Sequence, residues 1–277
     1  MSFSQVMRHD FSEEMPRPGP LATLRERIRQ IEQPRSHGVL PFGIAAIDRA
    51  LPGGGLALGA VHEILGQGGY EEDGAAACGF IAGILARIRP GPVLWCLKRP
   101  DLYGPGLLAR GLDPARLIVV SAPRDEDILW AVEEGLRAPG LIAVVGEIGR
   151  LPLVAGRRLQ LAAEHSGVTA FLLRRWRNSE EAARERERPS AAVTRWRIAA
   201  LPARDIDDPR LRHLIGQPRW RVELLRCRGG VPAQWVMESG EVEVADATGH
   251  VRLSPELADR PAAAQQFDTE PRLRHFG

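Results

Sequence analysis

Short, almost continuously apolar segments alternate with longer segments of helical periodicity through the middle of the chain. Such apolar segments are typical of strands buried on both faces of a parallel sheet. In order they are VHEIL, PVLWCL, RLIVVSA, GLIAVVGEI and VTAFLLR, at 61–65, 92–97, 116–122, 140–148 and 168–174. Between them the periodicity predicts helices near 75–88, 126–138 and 153–167, with shorter helical pieces at 40–51 and 107–112. The pattern predicts an α/β fold, in which a mostly parallel central sheet is flanked by helices.

The later part of the chain has a different pattern. Residues 178–189, NSEEAARERERP, form a charge run that predicts a solvated helix or loop. Segments 193–201, 219–227 and 233–244 then alternate in the period of a strand, and Gly229-Gly230 predicts a hairpin between the last two. These segments predict an antiparallel extension of the sheet.

Residues 21–32 form a helical stripe ahead of the α/β region, with Leu21, Leu24 and Ile28 on one face. This predicts an N-terminal helical arm that either packs on its own domain or docks on another subunit or partner. The pattern thus divides the chain into four parts. They are a tail and amphipathic helix at 1–36, an α/β core at 37–203, an antiparallel extension at 204–254 and a flexible tail at 255–277.

Charge and cysteine content narrow the possible classes of protein only a little. The chain has 37 Lys and Arg against 35 Asp and Glu, a net charge of +2, so the charge balance does not indicate nucleic-acid binding. Cys78, Cys96 and Cys227 lie far apart in apolar segments, which predicts buried free thiols in a reducing compartment. No apolar run is long enough to span a membrane, and the N-terminus lacks a signal-peptide core. We therefore expect a cytoplasmic location.

A glycine loop with the spacing of a Walker A phosphate loop follows the first predicted strand. Gly69 and Gly74 frame it, between a strand and a helix as that motif requires. A working loop needs a lysine at the phosphates and a hydroxyl for Mg²⁺, but Ala75 and Ala76 stand at those positions. We therefore regard the loop as degenerate.

Acidic residues make the loop still less suited to a nucleotide. They are Glu71, Glu72 and Asp73. A like charge at about 4 Å costs on the order of 4 kcal/mol at an effective dielectric constant of about 20. Two lost charge-assisted contacts add roughly 3 kcal/mol, whereas a helix dipole contributes at most about 2 kcal/mol. The sequence predicts that the loop rejects ATP and that the chain uses no cofactor.

The order of segments resembles the core of RecA-type recombinases over roughly residues 37–245. The resemblance includes the entry LPFGIAAIDRALPGGGLALGAVHEILG, the GEI segment and the late strands. More narrowly, the lysine-free loop, LWCLKRPDLYGPGL and RWRVELLRCRGG are similar to the ImuA family of bacteria. That resemblance implies a RecA-like, damage-inducible mutagenesis protein that acts in translesion synthesis. The implied partners are a Y-family-like polymerase homologue, an error-prone replicative-type polymerase and RecA.

Other positions at which a RecA-type ATPase carries chemistry also differ. Gly146 stands where the Mg²⁺-organising aspartate is expected. Glu147 follows it and is expected on the opposite side of the strand, which disfavours it as a substitute. After PVLWCL, where the water-activating glutamate is expected, the chain has Lys98 (its one lysine), Arg99 and Pro100, with Asp101 shifted. The seven histidines show no pair at metal-ligand spacing, and the sequence predicts no metal site and no catalytic residue.

A segment that could contact single-stranded DNA follows the last predicted parallel strand. RecA-type proteins bind DNA through loops, and the second such loop begins here with Arg174, Arg175, Trp176 and Arg177. These residues combine base-stacking and phosphate-contacting types, so they predict a weak contact with single-stranded DNA. The alternative is that Trp176 covers the core and the arginines balance the acids that follow.

A candidate partner interface is rich in tryptophan and arginine, which are favoured at interface hot spots. Strand alternation nevertheless predicts that some of its side chains point inward. Its members are Leu21, Leu24 and Ile28 of the arm and Trp220, Arg221, Arg226, Arg228 and Trp235 of the late strands.

The degenerate loop and the resemblance together predict a non-catalytic accessory protein. The sequence is also compatible with two other functions. Another lysine-free RecA-like group inhibits cell division in the SOS response, and a divergent DNA-dependent ATPase could use a non-standard loop.

Overall fold

The structure is a computed structural model that describes residues 37–67, 72–176, 179–202, 218–239 and 251–253. The expectations for the arm at 21–32, including Leu21, Leu24 and Ile28, and for the tail at 255–277 lie outside the described residues. The same is true of residues 68–71 of the glycine loop, and of Arg177.

Strands and helices alternate along the described chain in nearly the predicted order. The strands are β1 (Val39–Leu40), β2 (Leu56–Ala57), β3 (Val61–Gly66), β4 (Val93–Leu97), β5 (Leu117–Ser121), β6 (Ala143–Ile148), β7 (Thr169–Arg174), β8 (Thr194–Leu201), β9 (Arg219–Cys227), β10 (Ala233–Ser239) and β11 (Val251–Leu253). The helices are α1 (Ala45–Asp48), α2 (Glu72–Arg87), α3 (Gly104–Leu108), α4 (Asp125–Arg137), α5 (Leu153–Ser166) and α6 (Ser179–Arg186).

The main sheet has nine strands in the order β11-β10-β9-β8-β3-β7-β6-β4-β5. The six strands from β8 to β5 run parallel, and β9, β10 and β11 continue the sheet in antiparallel pairing. The predicted α/β fold, with its mostly parallel sheet and late antiparallel strands, is confirmed. One detail differs from the prediction, which placed segment 193–201 in the antiparallel extension. This segment forms β8, which pairs parallel with β3 along one edge and antiparallel with β9 along the other. The antiparallel part therefore begins at β9.

The sheet is buried between two apolar layers, which is why its central strands read as continuous apolar runs. On one face, α2 packs with Ile81 and Leu85 against Trp95, Phe171 and Trp196. The other face carries a second cluster, formed with α4 and α5, which includes Ile128, Val132, Leu159, Val144 and Leu172. The central strands β4, β6 and β7 contribute alternate side chains to the two layers.

Local sequence explains where the helices α4 and α5 begin and end. The first turn of α4 contains Asp125, Glu126 and Asp127. Their negative charges stabilise the helix because its N-terminus is the positive end of the helix dipole. Helix α5 ends at Gly167, which has a left-handed backbone with φ of 82°. No helix in the described part of the chain has the length and apolar character needed to cross a membrane.

Candidate functional site

In a nucleotide-binding protein with this order of strand, glycine loop and helix, the phosphate would lie at the start of helix α2. Ala75 is exposed there, and Ala76 is buried in the apolar layer. Because an alanine side chain is a methyl group, each residue offers a phosphate only its backbone. Asp73 Oδ1 accepts a hydrogen bond of 3.0 Å from the backbone amide of Ala200 on β8. This acid therefore ties the first turn of α2 to the neighbouring strand.

A cation does lie at this helix start, but it comes from the end of β7. A Cβ added to Gly74 would be 3.6 Å from Nε of Arg175. The Arg175 guanidinium donates to both carboxylate oxygens of Asp101, over 3.1 and 2.9 Å, and to Oε2 of Glu147, over 2.9 Å. We call this the Arg175 cluster: Arg175, Asp101 and Glu147.

The Arg175 cluster joins the carboxyl ends of three adjacent strands. Asp101 follows β4, Glu147 lies near the end of β6, and Arg175 follows β7. Glu147 is buried and also accepts a hydrogen bond of 3.1 Å from Nε1 of Trp95. Burial raises the pKa of Glu147 above its ordinary value, although the charge of Arg175 opposes that effect.

The position of Glu147 corrects the expectation from the sequence. A Cβ at Gly146 and the side chain of Glu147 do lie on opposite sides of β6, as alternation requires. It is Gly146, however, that faces away from α2, since a Cβ there would be 2.5 Å from Cγ2 of Val132 on α4. Glu147 lies on the side of α2, where it holds Arg175 in the way a structural carboxylate holds its cation.

The segment after β4 also has a structural role. Lys98 forms an ion pair with Asp125 at the start of α4. The Asp125 carboxylate accepts hydrogen bonds from the amides of Gly149, over 3.1 Å, and Arg150, over 2.9 Å. Burial alone would raise the pKa of Asp125, but the bonds from Lys98 and these amides outweigh it and hold the pKa below its usual range.

A cavity of about 560 Å³ opens beside the Arg175 cluster. Its walls include Gly79 of α2, Leu107 of α3 and Trp220 of β9, and the guanidinium of Arg110 lies 4.3 Å from the centre of the Trp220 ring. The space alone would admit a small molecule. The residues at its inner end decide whether that molecule can be a nucleotide.

These residues do not fit a nucleoside triphosphate with Mg²⁺. A phosphate at the two terminal guanidinium nitrogens of Arg175 would compete with Asp101 and Glu147 for the same donors. Separating a buried carboxylate from its partner costs about 3–5 kcal/mol, and Ala75 and Ala76 provide no ammonium or hydroxyl in return. Of the acidic loop residues, Glu71 lies outside the described part, and only the backbone of Glu72 is described.

The predicted DNA-contact segment is wrong for Arg174 and Trp176, because both side chains are buried. Arg174 donates to Glu63 over 3.1 Å, to Glu185 over 3.0 Å and to the carbonyl of Gly149 over 2.7 Å. Trp176 donates to the same Gly149 carbonyl over 2.9 Å. The charge run at 178–189 was predicted to be solvated, but one of its acids, Glu185 of α6, is buried and forms an ion pair with Arg174 of β7.

The predicted partner interface is wrong for Trp220 and Trp235, which are both buried in the layer beside α2. Strand alternation directs them inward, together with Trp196. Arg226 and Arg228 are exposed, and their guanidinium groups donate to the carbonyls of Ser190 and Ala191. Arg221 is half-buried.

The cysteines and His62 do not form a reactive site. All three cysteines are free; Cys96 is buried, and Cys78 and Cys227 are half-buried. Burial, followed by the negative charge of Glu147, raises the pKa of Cys78 to about 12. Among the described residues, no group of three or more His, Cys, Asp or Glu side chains could hold a metal ion.

His62 is held neutral inside the sheet. Its Nε2 lies 2.8 Å from the carbonyl of Ala57, which can only accept, so Nε2 carries the hydrogen. Its Nδ1 then accepts from the hydroxyl of Thr194, 2.7 Å away. Burial lowers the pKa of His62 to about 4, as expected for an imidazole with no charged partner in these contacts.

We expect His62 to make the protein sensitive to mild acid. The unfolded state binds a proton at His62 below pH 6.5, whereas the folded state resists until about pH 4. Stability is therefore unaffected by this group above pH 6.5, and about 3 kcal/mol is lost as the pH falls from 6.5 to 4. Urea unfolding at several pH values measures this, and His62→Gln should flatten the curve in that window. Parallel curves for the two proteins would contradict the assignment.

Sequence reasoning missed the Arg175 cluster, although a signal for it was present. Asp101, Glu147 and Arg175 each lie at or just beyond the carboxyl end of a predicted parallel strand. Such ends meet at one edge of the sheet. What could not be read was the order of the strands, which makes β4, β6 and β7 immediate neighbours.

The fold and this site together define an α/β protein with a mostly parallel sheet, in which Ala75 and Ala76 stand at the start of α2 where a working phosphate loop carries a lysine and a hydroxyl. No family model matches the chain. It is 40% identical over 240 residues to Protein ImuA of Caulobacter vibrioides, in strain NA1000 / CB15N and equally in strain ATCC 19089 / CIP 103742 / CB 15. The match covers 82% of this chain and 93% of each relative. The chain belongs to the ImuA family, and this membership supports a part in damage-inducible mutagenesis.

Proposed function

We propose that the chain is a non-catalytic accessory protein of damage-induced, error-prone translesion DNA synthesis. The observation that carries the proposal is the Arg175 cluster, in which protein carboxylates hold a cation that lies against Gly74 at the start of α2. Membership of the ImuA family supplies the process.

The Arg175 cluster holds this edge of the sheet against the start of α2 through contacts within the protein, without a bound ligand. In a nucleotide-dependent protein, a phosphate would connect the strand ends to the loop helix. Here the connection is internal, because Arg175 bridges the residues after β4 and near the end of β6 and lies against Gly74 of α2. A protein built in this way acts by contacting other macromolecules.

The proposed partners are those that the family resemblance implies. They are a Y-family-like polymerase homologue, an error-prone replicative-type polymerase and RecA, which this chain would connect as an adaptor. A direct contact with single-stranded DNA is not part of the proposal, because Arg174 and Trp176 are engaged inside the fold.

Isothermal titration with ATP and Mg²⁺ tests the central claim. We expect no binding up to about 1 mM nucleotide, which corresponds to a binding free energy weaker than about −4 kcal/mol. The reason is that the phosphate must break the Arg175 cluster without gaining a lysine or hydroxyl contact. An active RecA-type ATPase in the same buffer serves as the positive control.

Two outcomes would contradict the proposed function. One is micromolar ATP binding that is lost in Arg175→Met, which would restore the case for a divergent ATPase. The other is genetic: loss of the chain leaves damage-induced mutation unchanged, while overproduction blocks cell division. That result would favour the division-inhibitor alternative.

A further inference from the structure

Helix α6 lies at the carboxyl ends of β3 and β7 and buries little apolar surface. Among residues 180–186, whose side chains the structure describes, only Ala182 and Glu185 are buried. Ala182 packs with Leu65 and Trp176 in a small cluster that is separate from both apolar layers of the sheet. A helix of eight residues is marginal in water by itself, because helix nucleation is unfavourable. Contacts with the rest of the chain therefore decide whether α6 stays in place.

A charged contact joins α6 to β7. Oε2 of Glu185 accepts a hydrogen bond of 3.0 Å from Nη2 of Arg174, and Oε1 of Glu185 forms an ion pair of 2.9 Å with Nε of Arg188. The Arg174 side chain is buried, whereas that of Arg188 is 47% exposed. Glu185 thus connects a segment at the surface to a cation inside the protein.

A second set of polar contacts joins the same helix to β3 and β8. The Arg186 guanidinium donates to the carbonyls of Gly66, over 3.3 Å, and Gln67, where the glycine loop begins. The carbonyl of Arg186 accepts a hydrogen bond of 2.9 Å from Nη1 of Arg195 on β8. The guanidinium carbon of Arg186 also lies 5.6 Å from the centre of the Trp176 ring. Helix α6 therefore covers the place where β3 passes into the glycine loop.

The buried side of the Glu185 contact keeps other partners when α6 moves away. Arg174 also donates to Oε2 of Glu63, over 3.1 Å, and to the carbonyl of Gly149, over 2.7 Å. Breaking a buried ion pair is most costly when it leaves a buried charge without a partner. Here Arg174 would retain two acceptors, and the Glu185 carboxylate would pass into water. Opening of α6 is therefore less costly than opening of a helix that covers an apolar layer.

We propose that α6 is a lid that opens as a unit while the sheet stays folded, and that the bond between Glu185 and Arg174 keeps it closed. Opening exposes Trp176 and the Arg174 guanidinium, which are both buried in the closed state. It also releases the contact of Arg186 with the start of the glycine loop. Segments with few buried apolar contacts are the ones that open below the free energy of global unfolding. The proposal is independent of the proposed function, because it concerns a contact within the chain.

Helix α5 provides an internal reference for this opening. Its Leu159 and Ala163 are buried in the second apolar layer. Moving α5 away would expose that layer to water, which is unfavourable in proportion to the apolar area exposed. We therefore expect α5 to open only when the whole sheet unfolds.

Hydrogen–deuterium exchange of the full chain, followed by mass spectrometry from milliseconds to hours, tests the proposal. In wild type, the protection factors of α6 should be at least about tenfold below those of α5. Glu185→Gln should lower the protection of α6 by a further factor of about ten, because it removes a hydrogen bond between charged groups. The protection of α5 should not change.

Glu180→Gln is the matched control, with the same change of side chain on the same helix. The Glu180 side chain is 81% exposed and pairs with Arg184 over 3.6 Å, so the protection of α6 should stay within about twofold of wild type. Arg188→Met provides a further variant at the surface, which keeps Arg174 and Glu185 in place. It should lower the protection of α6 by about threefold, and it reports on the lid even if Glu185→Gln does not fold.

Three results would overturn the proposal. The α6 and α5 amides of wild type could have equal protection, which would show that α6 opens only with the whole protein. Glu185→Gln could change the protection of α6 no more than Glu180→Gln does, which would show that the bond to Arg174 does not keep the helix closed. Arg188→Met or Glu185→Gln could lower the protection of α5 as much as that of α6, which would assign Glu185 to the stability of the whole fold.

Discussion

Arg174→Met is expected to lower the free energy of unfolding by about 3 kcal/mol. Arg174 is buried and donates to two buried carboxylates, Glu63 on β3 and Glu185 on α6. Removing one partner of a buried ion pair typically costs about 3–5 kcal/mol, because the remaining charge stays desolvated. The effect should fall at the lower end, since Arg195 still bonds Glu63 and Arg188 still bonds Glu185.

Denaturant unfolding of paired variants measures this effect. Arg184→Met removes a largely exposed arginine from α6, where among the described residues it pairs with exposed Glu180, and should cost less than about 0.5 kcal/mol. Adding Glu63→Gln to Arg174→Met should lower stability further, because Arg195 would then lose the carboxylate that it bonds. A change in Arg174→Met no larger than in the Arg184 control would show that the buried network is dispensable.

Gly146→Asp is expected to lower the free energy of unfolding by about 5 kcal/mol or to prevent folding altogether. A Cβ at this position would lie 2.5 Å from Val132, 3.5 Å from Ile128 and 3.6 Å from Leu172. The new carboxylate would be forced into an apolar layer without a partner, and its burial adds to the steric cost. Restoring an aspartate at the apparent Walker B position therefore breaks the fold without rebuilding a metal site.

The matched variant Gly146→Ala separates the steric part from the charge. It should cost about 1–3 kcal/mol, because Val132 must shift to admit a methyl group. Urea unfolding of the three proteins gives the comparison, and circular dichroism shows whether the Asp variant folds. If Gly146→Asp were as stable as wild type and bound Mg²⁺, Gly146 would face the phosphate site and the assignment of Glu147 would be wrong.

The order of strands and helices was readable from the chain because each strand of a parallel sheet leaves its own apolar run. The boundaries of β9 and the turn at Gly229 agree with the structure for the same reason, since local alternation and turn geometry are properties of nearby residues. The two-stranded pairing of β1 with β2 was not foreseen. These strands have two residues each, too few to show a period.

The prediction of surfaces failed where a residue type was taken as evidence of exposure. Trp220 and Trp235 suit an interface by composition, but strand alternation places them in the layer beside α2. Arg174 suits a phosphate contact, yet Glu63, 111 positions earlier in the chain, neutralises it inside the sheet. Burial of a charged side chain depends on partners that are distant in sequence.

The amino-acid sequence by itself determined the α/β class, the absence of a lysine and hydroxyl after the glycine loop, and the resemblance to the ImuA family. These are local properties, since periodicity and residue identity at a position need no knowledge of the fold. Only the tertiary structure decided that Glu147 lies on the side of α2 and that Arg175 lies against Gly74 at the start of that helix. Those facts depend on which strands and helices become neighbours, and that order is set by packing of the whole chain.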